Sequence, residues 1–266
     1  MASPLIEKLT SEDFQIISIS RGENNNPKIL HVQGDALDEK NYEKALELLQ
    51  GKSLDGVIHL VGSLSLRPPH ALSKEAFEEV IATNLVTAFL SLSKCGKYML
   101  RNGGGRMVFV SSVAASLGLI NHEAISAAKG GVESMVRSAA ATYAQRNIRV
   151  NCIAPGLTDT KMTEQMVKSQ SQREAAVEMI PIKRINMAEE MARTMAWLIS
   201  DAPDNLTGQV IHLDGGMAAH RTPKHSAWSV PCFCRQSWRS GAESFLLPGG
   251  GHETNGAKFC GRWGRY

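Results

Sequence analysis

Two periodicities alternate along this chain. Short β-branched, apolar runs bounded by turn residues are separated by longer stretches with helical spacing of apolar positions. Residues 2–12 fit one short amphipathic helix. Residues 14–20 (Phe-Gln-Ile-Ile-Ser-Ile-Ser) read as a strand, stopped by the turn-forming run 21–27, Arg-Gly-Glu-Asn-Asn-Asn-Pro. A second strand is expected over 28–34. Residues 39–50 carry helical spacing through Tyr42, Ala45, Leu46 and Leu49. Residues 54–62 predict a strand and 73–100 one long helix or two. Gly103, Gly104 and Gly105 lead into a strand over 107–112. A helix over 122–146, a strand over 148–153, helical stretches over 160–179 and 187–200, and a strand over 208–213 follow.

Strands that alternate with helices pair in parallel through right-handed crossovers, so the pattern predicts an α/β fold with a doubly wound parallel sheet. Such sheets bind ligands at the carboxyl ends of their strands. Gly62, Ser112, Pro155 and Asp214 all stand at or near strand ends. The chain of 266 residues suits one domain of ordinary size, expected over 1–216. Residues 217–266 differ: they hold three of the four Trp and three of the five Cys, are rich in Gly and show no sustained period. They read as an irregular C-terminal extension.

Charge follows the same division. The chain holds 29 basic and 26 acidic residues, a net +3. Seven of the basic residues lie in 220–266 against Glu243 and Glu253, a net +5 there, which leaves −2 for 1–219. The body therefore offers no electrostatic argument for nucleic acid, and a basic run in a tail is a solvated feature by default. No apolar run reaches the ~18 residues of a membrane span, and the first residues lack the order of a signal peptide. A cytoplasmic location is expected, with no membrane partner. Cys95 and Cys152 look like core residues. In the tail, Cys232, Cys234, Cys260, His225 and His252 lack the paired spacing of a zinc site, so no metal is expected.

The chemistry gathers between 105 and 160. Residues 108–115 (Val-Phe-Val-Ser-Ser-Val-Ala-Ala) form a buried strand that ends in hydroxyls. Lys129 follows near the start of the next helix, between Ala127-Ala128 and Gly130-Gly131, and small residues around a lone charge point to tight packing. Asn151-Cys-Ile-Ala-Pro155-Gly156 closes the following strand. These segments resemble the short-chain dehydrogenase/reductase family, in which Ser, Tyr and Lys do the chemistry. In that family the Tyr lies 13 residues after the Ser and four before the Lys. Both counts, from Ser112 and from Lys129, reach Ile125, which has no proton to exchange.

The resemblance covers about 14–216 and implies a Rossmann-like sheet with NAD(P)-dependent hydride transfer between an alcohol and a carbonyl. It also implies that residues 2–12 match the rear of the family's first helix. The family's first strand and its glycine-rich phosphate loop then have no counterpart here. That strand would lie in mid-sheet, between 14–20 and 54–62, and its absence leaves strand backbone unpaired.

By the same resemblance, Ser112 would hydrogen-bond the substrate oxygen and Lys129 would hold the nicotinamide ribose. Asn84 would match the Asn that holds a water. His122, seven residues before Lys129, is the candidate substitute acid, although a helix-start histidine facing water is the plainer alternative. Ser126 is a weaker one. Arg21 ends a strand where a guanidinium can bind a 2′-phosphate, pointing to NADP(H) over NAD(H); a solvated turn charge is the other reading. Asp35 matches an adenine contact or is a turn former. Gly62, the last residue of His59-Leu-Val-Gly62, suits close backbone approach to a cofactor. Pro155, Gly156 and Thr160 match the loop that holds the nicotinamide amide. Two functions are therefore open: an oxidoreductase of this family, impaired by Ile125 and the lacking loop, or a catalytically silent homologue acting through protein contact. Homo-oligomers are expected through the helices at 73–100 and 122–146.

Overall fold

The structure, a computed structural model, describes residues 1–219. All its strand pairs are parallel. The chain runs α1 (Ala2–Ser11), β1 (Ile16–Ser20), β2 (Ile29–Gln33), α2 (Glu39–Glu47), β3 (Gly56–His59), α3 (Lys74–Ile81) and α4 (Thr87–Met99). It continues through β4 (Gly105–Val110), α5 (Glu123–Tyr143), β5 (Ile148–Pro155), α6 (Gln170–Glu178), α7 (Ala188–Ser200) and β6 (Val210–Leu213). Local chemistry sets several starts. Asp38 accepts from the Lys40 amide to open α2, and Ser73 accepts from the Ala76 amide to open α3. Ser169 and Gln172 form a reciprocal capping box at α6.

Four strands form one sheet in the order β3-β4-β5-β6, while β1 and β2 form another. Among the described residues β1 pairs with β2 alone and β3 with β4 alone, so each keeps an edge without a ladder. The division falls between β1 and β3, where the resemblance places a further strand. Both sheets nonetheless share the same two apolar layers. On one face Ile19 and Val57 pack against the cluster built on Met99, Phe109, Val132 and Val136. On the other, Phe14 and Ile58 pack against the cluster of Leu5, Ile153, Met191 and Met195. Helices α2, α4 and α5 cover the first face, and α1 with α7 the second.

Two expectations change in detail, and a third, left as one helix or two, is resolved. The strand expected over 54–62 ladders only at Gly56–His59, because β4 offers partners for those four residues alone. The stretch 160–179 is broken into a short 3-10 turn, Glu164–Val167, and α6, because the Ser169 cap restarts the helix. Residues 73–100 form one continuous run in which a π turn, Ala82–Val86, joins α3 to α4. By length and composition this run, Lys74–Met99, is the one described helix long and apolar enough to cross a membrane, although Lys94 and Lys97 interrupt its apolar pattern. Here α4 packs on β3, β4 and α2 as a layer of the α/β fold. Met217 packs beside Val113 and Ile180, past the boundary expected at 216. The tail cysteines and histidines weighed as zinc ligands lie outside the described residues.

Candidate functional site

The carboxyl ends of β3, β4, β5 and β6 carry the polar groups. After β3 the chain passes Gly62, which stands against two side chains from the helical layer. A methyl group placed on Gly62 would lie 3.0 Å from Asn84 Oδ1 and 3.4 Å from Lys129 Nζ. Asn84 and Lys129 therefore converge on one glycine. Asn84 is completely buried inside the π turn, a helix distortion often found at functional positions. Its Oδ1 accepts from the Ser63 amide (3.1 Å), and its Nδ2 donates to Ser63 Oγ (3.0 Å) and to the Val80 carbonyl (3.0 Å).

Lys129 is only 7% exposed. Its ammonium donates to the Val110 carbonyl at 2.8 Å, at the end of β4. Burial disfavours the charged form and pulls the lysine down to about 8. Nearby His59 is buried under α4, with its Nε2 3.1 Å from Thr87 Oγ1. The Thr87 hydroxyl itself donates to the Thr83 carbonyl (2.6 Å), so the ring nitrogen is the donor to Thr87. Burial, with the Lys129 charge second, pushes His59 down to about 3, so the ring is neutral. Burial also raises the Cys152 thiol to about 12, and the core position expected for this residue is where it lies.

Ser112 follows β4 and opens the short turn Val113–Ala115, its Oγ accepting from the Ala114 amide at 3.2 Å. Ser126 Oγ donates to the Ala114 carbonyl (2.6 Å), which docks the start of α5 on that turn. Ile125, one residue earlier, is buried. His122 is the N-cap of α5: its carbonyl accepts from the Ser126 amide at 2.7 Å, and its Nδ1 is engaged by the Ile120 carbonyl at 2.7 Å.

After β5, Gly156 lies so close to the next strand that a Cβ would stand 2.9 Å from Asp214 Cα. Pro155 ends β5 and is buried. Thr160 is held locally: its amide donates to Thr163 Oγ1 at 3.2 Å, and the two hydroxyls are 3.0 Å apart. Asp214 caps the exit of β6, accepting from the Gly216 and Ala218 amides at 2.8 Å each.

Arg21 and Asp35 stand at the carboxyl ends of β1 and β2, on the two-stranded sheet. The Arg21 carbonyl accepts from Gln33 Nε2 (3.1 Å), and Asp35 Oδ1 accepts from the Leu37 amide (2.9 Å). Both residues are exposed, and none of these bonds reaches the group at Gly62. The fold thus brings Gly62, Asn84 and Lys129 together beside the β4 end that carries Ser112, and leaves Arg21, Asp35 and His122 in separate local networks. Reading the chain alone missed Ser63, Ser111, Glu133 and Thr87, which brace these groups. Their only sequence signal is polarity at positions that periodicity assigns to buried faces. Among the described residues no group of three or more His, Cys, Asp or Glu could hold a metal ion.

A family model described as enoyl-(acyl carrier protein) reductase matches residues 16–218. The 3-oxoacyl-(acyl-carrier-protein) reductase MabA of Mycobacterium tuberculosis is 31% identical over 216 residues, 80% of this chain and 86% of its own length. The cis-4-hydroxycyclohexanecarboxylate dehydrogenase of Sinomonas cyclohexanicum is 35% identical, across 72% of this chain and 78% of its own. A solved structure of a putative gluconate dehydrogenase from Agrobacterium tumefaciens superposes with a TM-score of 0.76 at 26% identity, covering 82% of this chain and 91% of that one. With a match over most of its length and a shared parallel α/β fold, the chain belongs to the short-chain dehydrogenase/reductase family of oxidoreductases.

Proposed function

We propose that this chain is a nicotinamide-dependent oxidoreductase site acting between a small alcohol and its carbonyl, and that its chemistry is impaired. The convergence of Lys129 and Asn84 on Gly62, beside the hydroxyl-bearing end of β4, carries this reading. Gly62 lets Asn84 and Lys129 approach its backbone, Gly156 lets β5 run close to Asp214, and Lys129 supplies a buried cation with spare N–H donors. These residues fit a nicotinamide ribose and amide, with Pro155 and Thr160 completing that loop. When bound, the nicotinamide carries the hydride. Ser112 would hold the substrate oxygen, Asn84 would hold a water through its Oδ1, and Lys129 would bind the ribose. In carbonyl reduction the hydride goes to carbon and a proton to oxygen. Position 125 is Ile and can give no proton, and His122 at the start of α5 is the candidate substitute acid. Arg21 would favour NADP(H) by binding a 2′-phosphate, and Asp35 would contact the adenine. A solved structure of a putative NAD(P)-dependent gluconate 5-dehydrogenase from Beutenbergia cavernae, 28% identical over 72% of this chain, is described with bound NADP at low occupancy.

The chain also assembles with copies of itself in this proposal. Phe77, Val86 and Phe89 expose apolar surface along α3 and α4, and Phe89 is 55% exposed. That surface equally favours the second reading, a silent homologue that works by contact.

The test is a fluorescence titration of the full chain with NADPH and NADH. Weak binding of both, NADPH the tighter, with Arg21→Ala removing the difference, is expected. Binding of neither, by a chain that still self-associates, supports the contact reading. Ile125→Tyr should restore little turnover alone. The ~10²–10⁴-fold gain from a positioned acid is realised only with cofactor already held. Efficient carbonyl reduction by that single variant would overturn the impairment as drawn here.

A further inference from the structure

The loop after β5 is anchored by a residue that lies well beyond it in the chain. Asn186 stands between α6 and α7 and is only 4% exposed. A buried amide side chain is costly unless its groups are bonded. The main chain of Asn186 meets the loop in both directions. Its amide donates to the Leu157 carbonyl at 3.0 Å, and its carbonyl accepts from the Asp159 amide at 2.9 Å. These bonds pair Asn186 with Thr158 in an isolated parallel bridge. The side chain serves another segment. Nδ2 donates to the Leu213 carbonyl at 2.8 Å, at the end of β6. The same carbonyl accepts from the Gly156 amide at 2.9 Å.

One residue thus ties the loop after β5 to the end of β6 and to the start of α7. The α7 anchor is itself braced. Glu190 Oε2 accepts from the Met187 amide at 2.8 Å, and Arg184 donates to both Glu190 oxygens. Within the loop, Thr158 Oγ1 donates to the Gly156 carbonyl at 3.0 Å. Among the described residues the Leu157 and Thr158 amides donate to no protein acceptor. Thr158 is 4% exposed. An open N–H on so buried a residue calls for a partner from outside the chain.

We propose that Asn186 is a positioning residue: it fixes residues 156–160 between β6 and α7, and so sets where the open Leu157 and Thr158 amides stand. That these amides meet a nicotinamide rests on the role proposed above for Pro155, Gly156 and Thr160. The anchoring itself does not, and it involves no cofactor.

Amide hydrogen exchange of the full chain, followed residue by residue by NMR, compares the parent with Asn186→Ala. The Gly156 and Asp159 amides are expected to exchange about three- to tenfold faster, the equivalent of one lost hydrogen bond. Amides in β4 and α5 should keep their rates. Unchanged rates at 156 and 159 overturn the proposal. So does an equal rise throughout the core, which makes Asn186 a support of the whole fold and not of this loop. Should Asn186→Ala fail to fold, Asn186→Asp, which keeps the shape and removes the donor, is read by the same outcomes. A pair of ligands separates this inference from the cofactor role. NADPH and 2′-phospho-ADP-ribose differ in the nicotinamide. Asn186→Ala is expected to weaken NADPH about three- to tenfold and to leave the shorter ligand unchanged. If the parent binds both equally or neither while the exchange result holds, the nicotinamide role fails and the anchoring stands. If the parent prefers NADPH and Asn186→Ala keeps that preference, the positioning role is overturned.

Discussion

Replacing Lys129 by Met measures what the candidate site costs the fold. In the folded chain burial lowers this lysine from 10.5 to about 8. At 1.36 kcal/mol per pH unit, the charged form is disfavoured by about 3 kcal/mol. The unfolded chain keeps its proton up to the free-lysine value, while the folded chain releases it near 8. Between those two values the unfolded state binds more protons, so stability rises with pH across that window. Lys129→Met removes the buried charge but leaves the Val110 carbonyl without its donor, a loss of about 1–3 kcal/mol. The net change at pH 7 is then a gain between zero and about 2 kcal/mol. The sharper observable is the difference between parent and variant. It should shift by about 3 kcal/mol in favour of the parent from pH 7 to 10.5. Urea unfolding followed by circular dichroism at both pH values measures it, and titrations common to both chains cancel. Parallel stability curves for the two proteins would refute the reasoning, because Lys129 would then be as hydrated folded as unfolded.

Acid should act through His59, which is neutral in the folded chain to about pH 3 while the unfolded ring protonates near 6.5. Stability is therefore lost as pH falls through that window, by up to about 5 kcal/mol. His59→Leu should unfold at lower pH than the parent, and an unmoved acid midpoint would count against a buried neutral ring. Gly156→Ala places a methyl 2.9 Å from Asp214 Cα, a backbone atom that cannot swing aside. It should cost about 1–3 kcal/mol by thermal melt, and an unchanged Tm would mean that β5 and β6 part more easily than their ladder implies.

Much of the fold was legible because its signals are local. The run over 108–115 is short, β-branched and ends in hydroxyls, and β4 with the turn that follows lies there. The helix expected over 122–146 holds as α5 and the 3-10 turn Ala144–Arg146. Helical spacing could not foresee the π turn at Asn84, since a single widened turn is set by backbone hydrogen bonding and carries no residue signature of its own. It could not place the start of α5 either, because His122 and Glu123 are both plausible first residues until the backbone is seen. The division of the strands into two sheets is non-local. No property of residues 14–20 alone says which neighbour their second edge will meet.

The same contrast applies inside the site. Ser112 and Lys129 are read from sequence spacing because the β4–α5 connection is short and the helix periodic. What holds them in place is not periodic. Ser111 beside Ser112, and Glu133 one turn past Lys129, look like ordinary polar residues until β4 and α5 pack and bury both. A lysine in a packed face announces itself, because a long cation among Ala and Gly breaks the apolar pattern. Glu133 sits at a position where surface helices routinely carry Glu, and only its burial against Ser111 separates the two cases. Residues that brace a site from a helix face and a strand end thus look ordinary in sequence, and packing alone tells them apart.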